Sequence, residues 1–238
     1  MDAWHSLIET IRPHVVKIET PNASGTGFLV TCSEVTDVCG IATAAHVAGQ
    51  AHRWENPIKI HNRHGDTGVF LRPKDRAVMV DPERDTAVIV CGKKDIRLPD
   101  SPLELSPEDK HVREGVEVGW LGFPVMSPHD LCFFSGRISA YANALDAYLV
   151  DGVAINGVSG SPAFFAPSDR RDQQPVLIGA VSAYIPNRAT GETLPGLCKI
   201  ENVTQFQETV KSFKSVDEAK KKENSELSEG DDEDRRTS

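Results

Sequence analysis

The stretch Asn156-Gly157-Val158-Ser159-Gly160-Ser161-Pro162-Ala163-Phe164-Phe165 decides how this chain is read. Asn-Gly is a strong turn signal, and Gly, Asn and Ser are the common turn residues, so these ten residues fit a plain hairpin. A serine held between two glycines and followed by an apolar strand also fits a nucleophile displayed on a tight turn. The rest of the sequence has to separate the two readings.

The chain has 238 residues, which suits one large all-β or α/β domain or two small ones. Apolar residues make up 39%, enough for a real core. The net charge of −9 lacks the basic footprint of a nucleic-acid binder, so no nucleic-acid partner is expected. Cys32, Cys39, Cys91, Cys132 and Cys198 are odd in number and widely spaced, with no Cys-x-x-Cys among them. They read neither as a disulfide framework nor as a structural zinc site. The pairs His61-x-x-His64 and His129-x-x-Cys132 read as surface residues, and no metal or cofactor is expected. The start, Met1-Asp2-Ala3-Trp4-His5, has no basic region followed by an apolar run. No apolar stretch approaches the ~18 residues that span a bilayer. These features predict a soluble cytoplasmic protein without a membrane partner.

Trp4, Leu7, Ile8 and Ile11 recur at helical spacing and Pro13 ends the pattern, giving an N-terminal helix over 1–14. Short Val-, Ile- and Phe-rich runs follow at 15–19, 27–31, 58–61, 69–72, 78–80, 87–91, 116–121, 131–141, 148–150, 176–182 and 197–200. Gly, Pro, Asn and Asp separate them, and no long helix intervenes, which predicts an all-β sandwich or barrel over 15–214. Val203, Phe206, Val210 and Phe213 predict a closing helix over about 202–214. From 215 to 238 the chain is almost free of apolar residues, and such a segment cannot bury enough surface to offset its ordering entropy. It is read as a disordered acidic tail, either a solvated end or a docking segment for a regulatory partner.

A serine hydroxyl is a weak nucleophile and needs an adjacent base that is itself oriented by a third group. His46 stands out among eight histidines because it closes the small-residue, β-like run Ile41-Ala42-Thr43-Ala44-Ala45. A partly buried structural histidine would look the same. Asp85 directly precedes the apolar strand Thr86-Ala87-Val88-Ile89-Val90, where a carboxylate requires hydrogen-bond partners. A turn acid after Pro82 is the alternative.

Taken together and in order, these segments resemble the chymotrypsin-fold, trypsin-like serine peptidases, and most closely the HtrA/Deg-type protease domain without a PDZ module. Ala23-Ser24-Gly25-Thr26-Gly27-Phe28-Leu29-Val30 resembles the strand that opens the first barrel. Thr43-Ala44-Ala45-His46-Val47 resembles the histidine motif, Asp85-Thr86-Ala87-Val88-Ile89 the acid motif, and Gly157-Val158-Ser159-Gly160-Ser161-Pro162 the nucleophile motif. Val118 to Pro124 and Gly179 to Ser182 resemble two further strands of the family, the second of which pairs with bound peptide. The resemblance runs from about Val15 to Val203. It implies two six-stranded antiparallel β-barrels with short terminal helices and a cleft between them. It further implies that Ser159 attacks a peptide carbonyl, that His46 relays the proton, and that Asp85 orients His46. The N–H groups of Gly157 and Ser159 would form the oxyanion hole. Val153 would lie at the floor of the substrate pocket, and Ser182, Ala183 and Tyr184 along its wall.

Two departures from the pattern bear on function. Val158 stands where digestive-type relatives carry an Asp that pairs with a newly cut N-terminus, so activation by such a cut is not expected. About 35 residues follow Val203, too few for a PDZ module. With no acid at Val153, a small or apolar residue is expected before the cut bond. The sequence therefore predicts a serine endopeptidase acting on proteins or peptides through an acyl-enzyme. A catalytically silent binding or scaffold protein on the same fold is the alternative, and an esterase or other acyl transferase with the same triad is a third reading.

Overall fold

A computed structural model describes residues 3–236 apart from 63–67, 94–95, 109, 167–173 and 188–193. Helix α1 (Ala3–Ile11) leads through a short turn of 3-10 helix (Arg12–His14) into the first sheet. Pro13 supplies no N–H and sits in the first turn of that 3-10 segment, where none is needed. The first sheet comprises β1 (Val15–Glu19), β2 (Ser24–Cys32), β3 (Val38–Ala44), β4 (Ile58–His61), β5 (Val69–Leu71), β6 (Arg76–Asp81) and β7 (Thr86–Gly92), with helix α2 (Ala45–Arg53) between β3 and β4. The second comprises β8 (Glu104–Leu105), β9 (Glu117–Gly122), β10 (Cys132–Ala142), β11 (Ala147–Gly152), β12 (Pro162–Phe165), β13 (Val176–Asn187) and β14 (Leu194–Asn202). Helix α3 (Thr204–Arg236) follows.

The second sheet closes. Its order β12-β9-β10-β11-β14-β13 returns through β13–β12 pairing to make a six-stranded barrel, and β8 adds parallel to the β13 edge. The first sheet, in the order β5-β4-β1-β2-β3-β7-β6, is a seven-stranded half-barrel rather than a second closed six-stranded one. The described pairings leave β5 and β6 as its edges. Each sheet has its own core. Ile18, Leu29, Ile41, Ile58, Ile60 and Ile89 fill the first. Trp120, Tyr148, Phe164, Ile178 and Ile200 fill the second, joined by Leu7 and Ile11 from α1 and Phe206 from α3. Among the described residues no helix is long and apolar enough to cross a membrane.

Two local predictions change. The small-residue run before His46 is strand only as far as Ala44, and Ala45–Arg53 is helical. The segment predicted to be disordered from 215 instead continues α3 without a break to Arg236. Its first part has a partner that composition cannot reveal. The Asp217 carboxylate accepts hydrogen bonds from the Ser33 hydroxyl (2.6 Å) and the Glu34 N–H (2.7 Å) of the β2–β3 turn. Lys221 pairs with Glu34 at 2.6 Å. Asp217–Lys221 and Glu218–Lys222 also stand at the i, i+4 spacing that supports a helix. The Ser33 hydroxyl in particular holds the Asp217 carboxyl below its ordinary range. Asp217→Ala is accordingly expected to cost about 1 kcal/mol, since the two bonds are charge-assisted but only part-buried. In a chain of this size that is a fall of roughly 2–4 °C in Tm, measured by thermal denaturation.

Candidate active site

Asp85 sits between β6 and β7 with φ of 50°, a left-handed conformation that Asp tolerates better than most residues. That turn aims its carboxylate at the start of α2. There Oδ1 accepts the His46 backbone N–H at 2.9 Å, capping a helix whose N-cap residue, Ala44, has no side chain able to do so. The His46 ring presents Nδ1 to the same carboxylate, at 2.8 Å from Oδ2 and 3.0 Å from Oδ1. The Ser182 hydroxyl donates to Oδ2 at 2.6 Å. Burial pushes the Asp85 carboxyl up, but the bonds from His46 and Ser182 outweigh it and hold the group below its usual range. The imidazole is half-exposed, with its side chain 51% accessible.

Ser159 comes from the second barrel. Its hydroxyl donates to the main-chain carbonyl of Ser182 at 3.3 Å and makes no hydrogen bond to His46. Ser182 thus touches both Asp85, through its hydroxyl, and Ser159, through its carbonyl. It is the bulged residue of β13, where the register slips between Val181 and Ala183. A bulge of this kind re-aims a side chain beside a site.

The loop that carries Ser159 is pinned from the opposite sheet by Thr26, which is fully buried. Thr26 N–H donates to Ser159 O at 2.8 Å and its hydroxyl donates to Gly157 O at 2.9 Å. The same hydroxyl accepts the Phe123 N–H at 3.0 Å, and Thr43 Oγ1 donates to Thr26 O at 2.7 Å. Within the loop, the N–H groups of Val158, Gly160 and Ser161 all find main-chain acceptors. Those of Gly157 and Ser159 find none among the described residues. The Asn156 carbonyl accepts from Val125 N–H at 2.8 Å, and because a trans peptide is planar the Gly157 N–H points the other way. Gly157 has φ of 97°, and a Cβ there would lie 2.4 Å from Phe123 O, so only glycine fits.

The remaining predicted positions are more scattered. Val158 is 1% exposed, part of the second core rather than a partner for a chain terminus. Val153, predicted at the pocket floor, is 55% exposed on open surface. Ala183 is exposed, and the Tyr184 side chain lies outside the described ones. His61 bonds Glu19 at 2.8 Å, while His64 lies outside the described residues. All five cysteines are free thiols. Burial pushes Cys32 up to about 11 and Cys198 up to about 12, so neither offers a thiolate nucleophile.

The family model of the trypsin-like peptidase domain matches residues 25–168, well over half of the chain. The chain belongs to the trypsin-like peptidase family. This peptidase shares its fold with solved serine proteases. Rv3671c from M. tuberculosis H37Rv, in an inactive form, is 18% identical with a TM-score of 0.58, over 88% of this chain and 90% of that one. Deg5 is 17% identical with a TM-score of 0.60, over 86% and 90%. The serine endoprotease from Yersinia pestis is 17% identical with a TM-score of 0.62, over 88% of the peptidase and 66% of that chain. At these identities the likeness speaks for the fold, which agrees with the Deg-type resemblance of the motifs. No curated protein matches the sequence. As a serine-type peptidase domain, the chain has proteins or peptides as its substrate class.

Sequence reasoning did not single out Thr26 for a role and placed Ser182 on the peptide-pairing strand and a pocket wall, not beside Asp85. A hydroxyl residue inside an otherwise glycine-rich strand, Ser24-Gly25-Thr26-Gly27, was the available signal for the first.

Proposed function

We propose that this peptidase cleaves peptide bonds through a His46-Asp85-Ser159 triad and an acyl-enzyme. The observation that carries the reading is the junction at Ser182, which ties the nucleophile's loop to the carboxylate that holds His46. The Ser159 hydroxyl rotates from the Ser182 carbonyl to His46 Nε2, the ring nitrogen that Asp85 leaves free. Ser159 Oγ then bonds to the substrate carbonyl carbon while its proton passes to His46. The imidazolium returns that proton to the leaving amine as the peptide C–N bond breaks. Water, deprotonated by the same nitrogen, releases the acyl group and restores Ser159.

The N–H groups of Gly157 and Ser159, which meet no acceptor among the described residues, would receive the negative oxygen that develops on the carbonyl. Every other N–H from 158 to 161 is already engaged, which makes these two the donors left for a ligand. Gly157→Ala forces a Cβ against Phe123 O and strains φ, so the N–H is expected to turn away. A loss of about 10²–10³ in kcat is expected, with KM little changed, measured on a fluorogenic peptide. An unchanged kcat in this variant would rule out Gly157 as a donor.

Hydrolysis itself is tested with a fluorophosphonate probe followed by a peptide-library digest. Labelling of wild type that disappears in Ser159→Ala supports the nucleophile. Cleaved amide bonds in the digest support a peptidase over an esterase. A protein that folds but is neither labelled nor active would be the scaffold of the alternative reading.

A further inference from the structure

Four consecutive peptide units carry the nucleophile's loop, and a trans peptide sets each carbonyl opposite the N–H that shares its plane. Three of the carbonyls are held by main-chain donors. Asn156 O accepts Val125 N–H at 2.8 Å, Val158 O accepts Ser161 N–H at 3.0 Å, and Ser159 O accepts Thr26 N–H at 2.8 Å. Any residue but proline supplies such a donor. The remaining carbonyl, Gly157 O, is held by the Thr26 hydroxyl at 2.9 Å, so this bond depends on which side chain is present. The two units that Thr26 holds, 157–158 and 159–160, flank the unit that carries Ser159 N–H.

Thr26 acts between two pivots. Gly157 and Gly160 have φ of 97° and 85°, and glycine rotates readily into other backbone regions, so the segment between them turns unless its carbonyls are held. A threonine hydroxyl has one proton to give and lone pairs to receive with. Phe123 N–H occupies a lone pair at 3.0 Å, and the proton goes to Gly157 O. Thr43 Oγ1 donates to Thr26 O at 2.7 Å, so every polar atom of this 0% exposed residue has its partner. Valine has nearly the same shape, but only a hydroxyl can serve Phe123 and Gly157 together. We propose that Thr26 is a positioning residue for this peptidase: by donating to Gly157 O, its hydroxyl holds the loop in the conformation that keeps the N–H groups of Gly157 and Ser159 free for the substrate oxygen.

The consequence falls on the chemical step. Gly157 joins the unit that carries its own N–H to the unit whose carbonyl Thr26 holds. Once that carbonyl is released, the two units rotate about the glycine and the N–H leaves the position where the oxyanion develops. Donors fixed in advance need no reorganisation during the reaction. A loop that moves must be ordered again in every turnover, and a misplacement of about 1 Å at such a site lowers the rate about 10²-fold. Substrate contacts made away from the scissile carbonyl are left as they were.

The role in catalysis rests on the triad reading above, so the test has one arm that needs no turnover. In full-length protein, the Gly157 and Ser159 amide resonances are expected to be single and sharp in wild type and Thr26→Ser, and broadened by microsecond-to-millisecond exchange in Thr26→Val. Amides in Thr26→Val that match wild type overturn the proposal, whatever the activity. In the kinetic arm, well below the melting temperature, Thr26→Val is expected to lower kcat per titrated active site about 10²-fold with KM within about twofold of wild type. Thr26→Ser, which keeps the hydroxyl, is expected to hold kcat within about threefold of wild type. A merely structural Thr26 would lower the melting temperature of the Val variant and leave kcat per folded molecule near wild type, and that result overturns the proposal. So does a Ser variant as impaired as the Val variant. If Thr26→Val fails to fold, Thr26→Ala takes its place with the same expectations. If neither folds, the wild-type hydroxyl decides: an exchange-protected Thr26 hydroxyl proton coupled to the Gly157 carbonyl carbon supports the proposal, and a freely exchanging one overturns it. A wild type that does not hydrolyse peptides, with amides that broaden in Thr26→Val, would remove the triad reading and leave the hold of Thr26 on the two N–H groups standing.

Discussion

Ser159→Ala is expected to lower kcat for peptide hydrolysis by about 10⁵–10⁶-fold, with the protein folded and substrate still bound. The size follows from the role. No other described hydroxyl stands on the loop between the two free N–H donors, and the Cys32 and Cys198 thiols are pushed away from the ionisation needed to replace it. The cost to stability is small, because the hydroxyl's one hydrogen bond is a long contact with Ser182 O. The backbone of Ser159 is held independently by Thr26 N–H, so the loop keeps its shape in the variant. Residual activity of about 10³–10⁴-fold over water is expected from the two N–H donors and substrate positioning. Active-site titration and steady-state kinetics on one fluorogenic peptide measure both numbers. A variant that retains more than a few per cent of wild-type kcat would place the nucleophile elsewhere.

The second large effect is Asp85→Asn, expected to lower kcat by about 10⁴-fold. The carboxylate accepts three bonds, from the His46 N–H, the His46 ring and Ser182. An amide can oppose Nδ1 with its own N–H, which forces the ring into the tautomer that has no lone pair for the Ser159 proton. The fold tolerates the change, since Asn accepts a left-handed φ as well as Asp does. The sign of the pH dependence follows from the depressed Asp85 carboxyl. A lowered native value means that the charged form is stabilised by folding. Its contribution is complete above the ordinary carboxyl range and is lost only as pH falls through the depressed value. Asp85 therefore stays ionised at every pH above its depressed value. The substitution then lowers the plateau of kcat/KM rather than revealing a new limb. A pH–rate profile of both proteins checks this.

The amino-acid order by itself determined a great deal here. Alternating Val, Ile and Phe runs with turn residues between them marked most strands of both sheets, because side-chain periodicity and turn chemistry act over a few residues. His46, Asp85 and Ser159 were legible because each breaks a local pattern: a ring among small residues, a carboxylate at a buried strand, a serine between glycines. Tertiary structure decided what depends on partners far along the chain. Asp217 is an ordinary tail acid until Ser33 and Glu34 meet it, far along the chain. The first sheet stops short of closure, and Val153 lies open, because strand pairing and loop placement are settled across the whole domain.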